Sequence, residues 1–168
     1  ARLVPVATLR DEGAEFALNV PAIVDVLTDR TRVLLLNSPN NPPGAIYSED
    51  SLAELGRALE ARREAGGRTI YVVEDTPYRD LLHDGSTVPS VLSHVSDAVM
   101  ITSHSKDLGL AGERIGYAVI SPRSAAREPL RRAMSFCNRV LGFVNAPALM
   151  QRALPKVLGN PEGRVNVQ

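Results

Sequence analysis

The run RVLLLN, at positions 32–37, is the segment that decides the fold class. Its apolar residues follow one another without the polar alternation that marks a half-exposed strand. Such a run is typical of a parallel strand that is covered on both faces, as in an α/β sheet. A turn of proline, asparagine and glycine follows at 38–44. The segment therefore predicts a buried strand that ends abruptly in an irregular loop.

Other segments alternate between strand and helix patterns along the chain. The β-type runs are RLVPV at 2–6, TIYVVED at 69–75, AVMITS at 98–103 and RIGYAVIS at 114–121. The helical patterns are 21–27, a stretch capped by Ser48 and ended by Gly66 and Gly67, a stretch from about Pro129 to Leu141, and one starting near Asn145. We interpret Met134, Phe136 and Leu141 as helix core. The alternation predicts a three-layer α/β/α sandwich with a mostly parallel sheet.

Composition excludes several classes of function. The chain has 168 residues, is 44% hydrophobic and has a formal net charge of zero. Without a basic excess, nucleic acid and anionic membranes are not expected partners, and no apolar run approaches a membrane span of about 20 residues. The single cysteine, Cys137, forms no internal disulfide and fits the cytoplasm. No histidine and cysteine spacing suits zinc, so no metal is expected.

Polar residues gather where the predicted strands end. Ligands of parallel sheets bind beyond the carboxyl ends of the strands, so these are the positions to inspect. They hold two amides (Asn40, Asn41), a carboxylate and a phenol (Asp75, Tyr78), two hydroxyls (Ser103, Ser105), an amine (Lys106) and a guanidinium (Arg114). Singly, each is commonly a turn former, a cap or an exposed charge. Together they predict a site for one small, multiply charged ligand.

Two other chemistries are disfavoured in the segment that follows the AVMITS run at 98–103. Ser103, His104 and Ser105 are neighbours in one loop, so they cannot readily form the nucleophile, base and orienting group of a hydrolase. The glycines at 109, 112 and 116 lack the G-x-G-x-x-G spacing of a dinucleotide site. We expect His104 to line the pocket or to pack beside it.

Three motifs occur in the order known from one enzyme family. They are NSPNNPPG at 37–44, EDTPYRDL at 74–81 and SHSKDLGLAGERIGY at 103–117. On these motifs the chain resembles the fold-type I, pyridoxal-phosphate-dependent aminotransferases of class I/II, and the resemblance covers nearly all of it. One departure is Pro43, where the family has threonine. Proline has neither a hydroxyl nor a backbone donor, so any contact made by that threonine is lost here.

The resemblance implies that pyridoxal 5'-phosphate binds at these motifs. Lys106 matches the lysine that forms the aldimine with the cofactor and then moves the proton. Asp75 matches the carboxylate that faces the pyridine nitrogen. Asn41 and Tyr78 match the residues that hydrogen-bond the phenolic oxygen of the cofactor. These types suit the chemistry, which needs a nucleophilic amine and a carboxylate that stabilises a protonated ring nitrogen.

The phosphate of the cofactor has its own matched residues. Ser103 and Arg114 match phosphate ligands of the family, and Ser105 is assigned a supporting role there. A guanidinium and hydroxyl donors are the groups that a phosphate dianion prefers.

The implied activity is transfer of an amino group between an amino acid and a 2-oxo acid. The resemblance also implies a homodimer, and it makes residues 1–168 the later part of the large domain, without the N-terminal segment and the C-terminal small domain. Two alternatives stay open on the motifs alone. One is a lyase, decarboxylase or cyclase on the same cofactor, and the other is a non-catalytic, cofactor-binding regulatory domain.

Overall fold

The computed structural model describes residues 2–7, 16–83 and 85–160, and a single four-stranded sheet organises them. The strands are β1 (Val33–Asn37), β2 (Tyr71–Asp75), β3 (Ala98–Ser103) and β4 (Gly116–Ile120), and they lie in that order. Strand β2 is parallel to β1 and to β3, whereas β4 is antiparallel to β3. The predicted α/β class with a mostly parallel sheet is confirmed.

Helices connect and follow the strands. They are α1 (Val20–Val26), α2 (Glu49–Glu64), α3 (Val91–His94), α4 (Arg127–Val140) and α5 (Ala148–Leu158). The predicted cap of α2 is confirmed, because the Ser48 hydroxyl accepts a hydrogen bond of 3.2 Å from the Ser51 amide. Gly66 follows α2 with a φ of +86°, which glycine tolerates best. None of the helices in the described residues is both long and apolar enough to span a membrane.

The hydrophobic core lies between one face of the sheet and helices α1 to α3. Leu36, Val72 and Ala98 contribute to it from the three parallel strands. Leu52 and Leu55 of α2 are completely buried against them. Each such side chain contributes about 1.5–3 kcal/mol through burial, so this layer holds the sheet in place.

The opposite face of the sheet is largely open. Val33 is 49% exposed and Leu35 is 64% exposed, and Ile101 on β3 is 37% exposed. Side chains alternate along a strand, so these residues share a face with Asp75, the register partner of Ile101. Helix α4 contacts β4 and buries none of its own residues. The prediction that 32–37 is covered on both faces is therefore wrong for the described residues.

Two further predictions from the sequence are wrong. Residues 2–6 form no strand, and Leu3 and Val4 are 80% and 50% exposed. No strand of the sheet pairs with this segment, and Pro5 lacks a backbone donor. Of the three residues predicted as helix core, Met134 is only half-buried, and Phe136 and Leu141 are 64% and 69% exposed, because α4 buries none of its residues against the described part of the chain.

The strand directions bring four strand ends, and the three loops attached to them, to one edge of the sheet. Asn37 is level with Asp75, which in turn is level with Ile101, two residues before the end of β3. Because β4 is antiparallel, its first residue, Gly116, pairs with Ser103, the last residue of β3. The carboxyl ends of β1 to β3 and the start of β4 therefore lie together.

Candidate active site

Asn37, at the end of β1, fixes the loop that follows it. Its side-chain oxygen accepts a hydrogen bond of 2.8 Å from the backbone amide of Asn41. Its side-chain amide donates one of 2.9 Å to the carbonyl of Asp75. The loop is also closed within itself, because the Gly44 amide donates to the Asn40 carbonyl at 2.7 Å. Asn37 thus joins the loop of Asn41 to the end of β2.

Three predicted residues from three different loops lie together at this edge. The side-chain amide of Asn41 donates a hydrogen bond of 3.2 Å to the phenol oxygen of Tyr78. The Nζ of Lys106 lies 5.7 Å from the centre of the Tyr78 ring, within the range of a cation–π contact. Tyr78 is therefore the common neighbour of the amide and the amine.

Asp75 ends β2 on the open face of the sheet. Its backbone carbonyl accepts the Asn37 side-chain amide, while its carboxylate stays exposed. Partial desolvation by the surrounding protein raises the pKa of this carboxyl above its ordinary value. A carboxylate so placed would be stabilised by a cationic partner on the open face.

Ser103 is the last residue of β3, where this strand meets the start of β4. It is half-buried and pairs with Gly116. A β-carbon on Gly116 would approach the Thr102 carbonyl to 2.4 Å, so the close contact of β3 and β4 requires glycine there. Ser105 is also half-buried, and no side-chain hydrogen bond of it is found in the described part of the chain.

The backbone of Arg114 lies close to Ser103, two residues before Gly116, the strand partner of Ser103. The side chain of Arg114 makes its hydrogen bond elsewhere. The residue adopts the left-handed conformation, with φ 50° and ψ 46°, which is uncommon for a residue other than glycine. Its guanidinium is exposed and donates a hydrogen bond of 2.9 Å to the Ala111 carbonyl. Within the ranges that the structure describes, the guanidinium forms no ion pair with another predicted residue.

Comparison with known proteins identifies the family of this chain. The sequence profile of the family "Aminotransferase class I and II" matches residues 1–167. The chain belongs to the class I and II aminotransferases. Among solved structures, it resembles an amino transferase of Eubacterium rectale, with a TM-score of 0.82 and 36% identity over 86% of this chain and 36% of that one.

Curated aminotransferases are similar over part of their length. An aromatic amino acid aminotransferase of Mycolicibacterium vanbaalenii is 35% identical over 111 residues, which cover 64% of this chain and 29% of that protein. An aspartate aminotransferase of Streptomyces avermitilis is 28% identical over 74% of this chain and 30% of its own length. This aminotransferase chain thus spans about a third of the length of relatives that it matches.

Sequence reasoning missed the part that Asn37 plays. Asn37 begins the NSPNNPPG motif, yet only Asn40 and Asn41 were predicted to contribute amides. A polar residue at the last position of an otherwise apolar strand was the signal available. His104, expected in or beside the pocket, is 6% exposed and packs against Tyr117, with ring centres 5.8 Å apart.

Glu74 precedes Asp75 in sequence but faces the core side of the sheet. It is 1% exposed, and within the described part of the chain its Oε1 has no hydrogen-bond partner. Desolvation raises the pKa of this carboxyl to about 7, against the opposing effects of the Val91 backbone amide and the charge of Arg79. Neighbouring carboxyl groups in one strand therefore have different environments.

Proposed function

We propose that this chain is the cofactor-anchoring part of a pyridoxal-phosphate-dependent aminotransferase, which exchanges an amino group between an amino acid and a 2-oxo acid. The observation that carries the proposal is the grouping of Asn41, Tyr78 and Lys106 at one sheet edge. The donor set fits the cofactor, since it offers an amine, a carboxylate, a phenol, an amide, hydroxyls and a guanidinium. When bound, pyridoxal 5'-phosphate supplies an electron sink for the bonds at the substrate α-carbon.

Lys106 is the group that we propose to bind the cofactor and to carry a proton at Nζ. The side chain is exposed, and its amine lies over an aromatic ring rather than beside a carboxylate. The formation of a Schiff base needs an amine as its nucleophile, and the exposed Nζ of Lys106 is accessible to a small carbonyl compound at this edge of the sheet.

Asn41, Tyr78 and Asp75 orient the ring of the cofactor in this proposal. The Asn41 amide donates one hydrogen to the Tyr78 oxygen, which places the two groups side by side and leaves the second amide hydrogen and the phenol hydrogen as donors for the cofactor. The carboxylate of Asp75, on the open face, would stabilise the protonated form of the ring nitrogen by ion pairing. A cationic partner there would lower the pKa that desolvation of Asp75 has raised.

Ser103, Ser105 and Arg114 bind the phosphate in the same proposal. An arginine has five donor hydrogens, and Arg114 directs one of its nitrogens to the Ala111 carbonyl, so donors remain for a phosphate. The hydroxyls of Ser103 and Ser105 are on the segment that leads from β3 to Lys106.

We further propose that the chain forms the later part of the large domain in a homodimer of the cytoplasm. Its span of about 29–30% of curated relatives supports a partial domain, as does the open apolar sheet face around Leu35. The one cysteine, Cys137, is free and exposed, which fits a reducing compartment. Sedimentation of the complete protein tests the dimer.

A pair of lysine variants tests the main proposal, because the sequence holds only Lys106 and Lys156. We expect borohydride to fix the cofactor to the peptide that contains Lys106. Lys106→Ala should abolish the absorbance band of the bound cofactor, whereas Lys156→Ala should leave it unchanged. Attachment of the cofactor elsewhere, or no binding by the complete protein, would contradict the proposal. Conversion of amino acids to 2-oxo acids in a single turnover separates transfer from lyase and regulatory roles.

A further inference from the structure

We propose that His104 and Asp107 are positioning residues, which clamp the loop 103–110 so that Lys106 is held towards Tyr78. The proposal rests on the function of Lys106 given above. It concerns two side chains that the aminotransferase motifs leave without a role. Neither is placed at the cofactor, and both act through the backbone that carries Lys106.

The side chains of His104 and Asp107 bond to each other across Lys106. Nδ1 of His104 lies 2.9 Å from Oδ2 of Asp107, and the two side chains are only 7% and 17% exposed. An ionised carboxylate only accepts hydrogen bonds, so the imidazole is the donor. The second oxygen, Oδ1, accepts the backbone amide of Leu108 at 2.9 Å. Asp107 therefore uses both oxygens to close the turn.

His104 also ties the loop to β4. Its amide donates to the Ile115 carbonyl at 3.1 Å, and its carbonyl accepts the Leu110 amide at 2.9 Å. Its ring packs against that of Tyr117, at an angle of 44° between the planes. The loop is thus fastened to the sheet by backbone and side chain at the residue two positions before Lys106.

Lys106 depends on this clamp because its own side chain has few contacts. It is exposed, and within the described residues its amine lies over the ring of Tyr78. A lysine side chain has many rotamers, so a mobile backbone would spread Nζ over a large volume. Fixing residues 104 and 107 removes the backbone part of that freedom, which is how a binding group is preorganised.

The test uses the complete protein with His104→Phe, Asp107→Ala and Asp107→Asn. We expect the first two to release pyridoxal 5'-phosphate about tenfold faster and to shift the absorbance band of the bound cofactor, since each loses a charged hydrogen bond in the clamp. Asp107→Asn keeps one acceptor oxygen and should show a smaller effect. It also remains informative where a larger change prevents folding.

A second histidine–carboxylate pair provides the matched control. Nε2 of His94 lies 3.5 Å from Oε1 of Glu49, and this pair joins α3 to α2 outside the loop 103–110. His94→Phe and Glu49→Ala should leave the release rate and the band unchanged, whatever they do to the melting temperature. Equal effects of the two pairs on the band would overturn the proposal, because they would show a general loss of stability.

Hydrogen–deuterium exchange of the cofactor-free protein gives a readout that does not need the cofactor. We expect the amides of Leu108 and Leu110 to exchange about tenfold faster in His104→Phe and Asp107→Ala than in the parent. Unchanged exchange there would overturn the clamp. If the parent binds no pyridoxal 5'-phosphate, the proposed function fails while exchange still tests the clamp. If the parent binds it and all the variants release it at the parental rate, the positioning role alone fails.

Discussion

The side-chain amide of Asn41 donates a hydrogen bond of 3.2 Å to the phenol oxygen of Tyr78, which joins the loop after β1 to the loop after β2. Tyr78→Phe removes the hydroxyl but keeps the ring near Lys106. We expect cofactor affinity to fall by about three- to tenfold, as for loss of a typical hydrogen bond of about 1 kcal/mol. Titration followed by cofactor absorbance measures this change.

A double-mutant cycle shows whether the Asn41–Tyr78 bond itself is responsible. Asn41→Ala and Tyr78→Phe should together cost less affinity than the sum of the two single changes, with a coupling of about 1 kcal/mol. Additive losses would mean that the two side chains act on the cofactor independently.

The bridge formed by Asn37 predicts a loss of stability. Asn37→Ala leaves the Asn41 amide and the Asp75 carbonyl without their shared partner, so we expect the free energy of unfolding to fall by about 1–3 kcal/mol. Urea unfolding checks this result. Asn145→Ala, at an exposed position after α4, is the control and should change stability by about 0.5 kcal/mol or less. A fall no larger than that of the control would contradict the bridging role.

Buried Glu74 predicts that stability falls as pH rises. Its folded pKa of about 7 lies above the ordinary value of 4.5, so the native state holds a proton that the unfolded state loses within this window. The stability difference between the parent and Glu74→Gln should therefore shift in favour of the variant by roughly 3 kcal/mol between these pH values, and stay constant above. Urea unfolding across this range measures it.

A second neutral substitution separates charge from hydrogen bonding at position 74. Glu74→Met cannot ionise or donate a hydrogen bond, so its pH response should match that of Glu74→Gln even where its absolute stability differs. The prediction fails if the parent and both variants keep a constant stability difference over the whole range.

The left-handed backbone of Arg114 predicts that two substitutions at this position differ in stability. Arg114→Gly and Arg114→Ala both remove the guanidinium, but only glycine adopts a φ of 50° without strain. We expect the glycine variant to be about 1 kcal/mol more stable than the alanine variant in urea unfolding.

The same two variants test the assignment of Arg114 to the phosphate. Both should weaken binding of pyridoxal 5'-phosphate by about 10- to 100-fold, as for loss of a charged hydrogen bond. Binding of pyridoxal, which has no phosphate, should stay as in the parent. Equal weakening for both compounds would place Arg114 outside the phosphate site.

Patterns of neighbouring residues predicted most of the regular structure. The apolar runs at 69–75 and 98–103 form β2 and β3, and the hydroxyl of Ser48 caps α2 as its sequence context indicated. Local chemistry decides these features. The edge of the sheet followed from strand direction, which placed Asp75 near Asn37 and the loop after β3 beside them.

Features that depend on residues far apart in the chain could not be predicted from the sequence. RLVPV at 2–6 has strand composition but no neighbouring strand, and the run at 32–37 is apolar on a face that the described residues leave open. The two bonds of Asn37 depend on the register of β1 and β2, which no local pattern encodes. Side-chain direction at Arg114 follows from a backbone conformation that its neighbours in sequence do not signal.

The reversal of chain direction at β4 sets a limit on how this protein can evolve. The loop 104–115 leaves the sheet edge at Ser103 and returns to it at Gly116, where the approach of the Thr102 carbonyl admits no side chain. An inserted or deleted residue that slid β4 by one position would bring a β-carbon to that contact and turn every side chain of the strand to the other face. Lineages of this protein should therefore keep the length of the loop, and vary its composition only at positions other than those assigned to the cofactor and to the clamp.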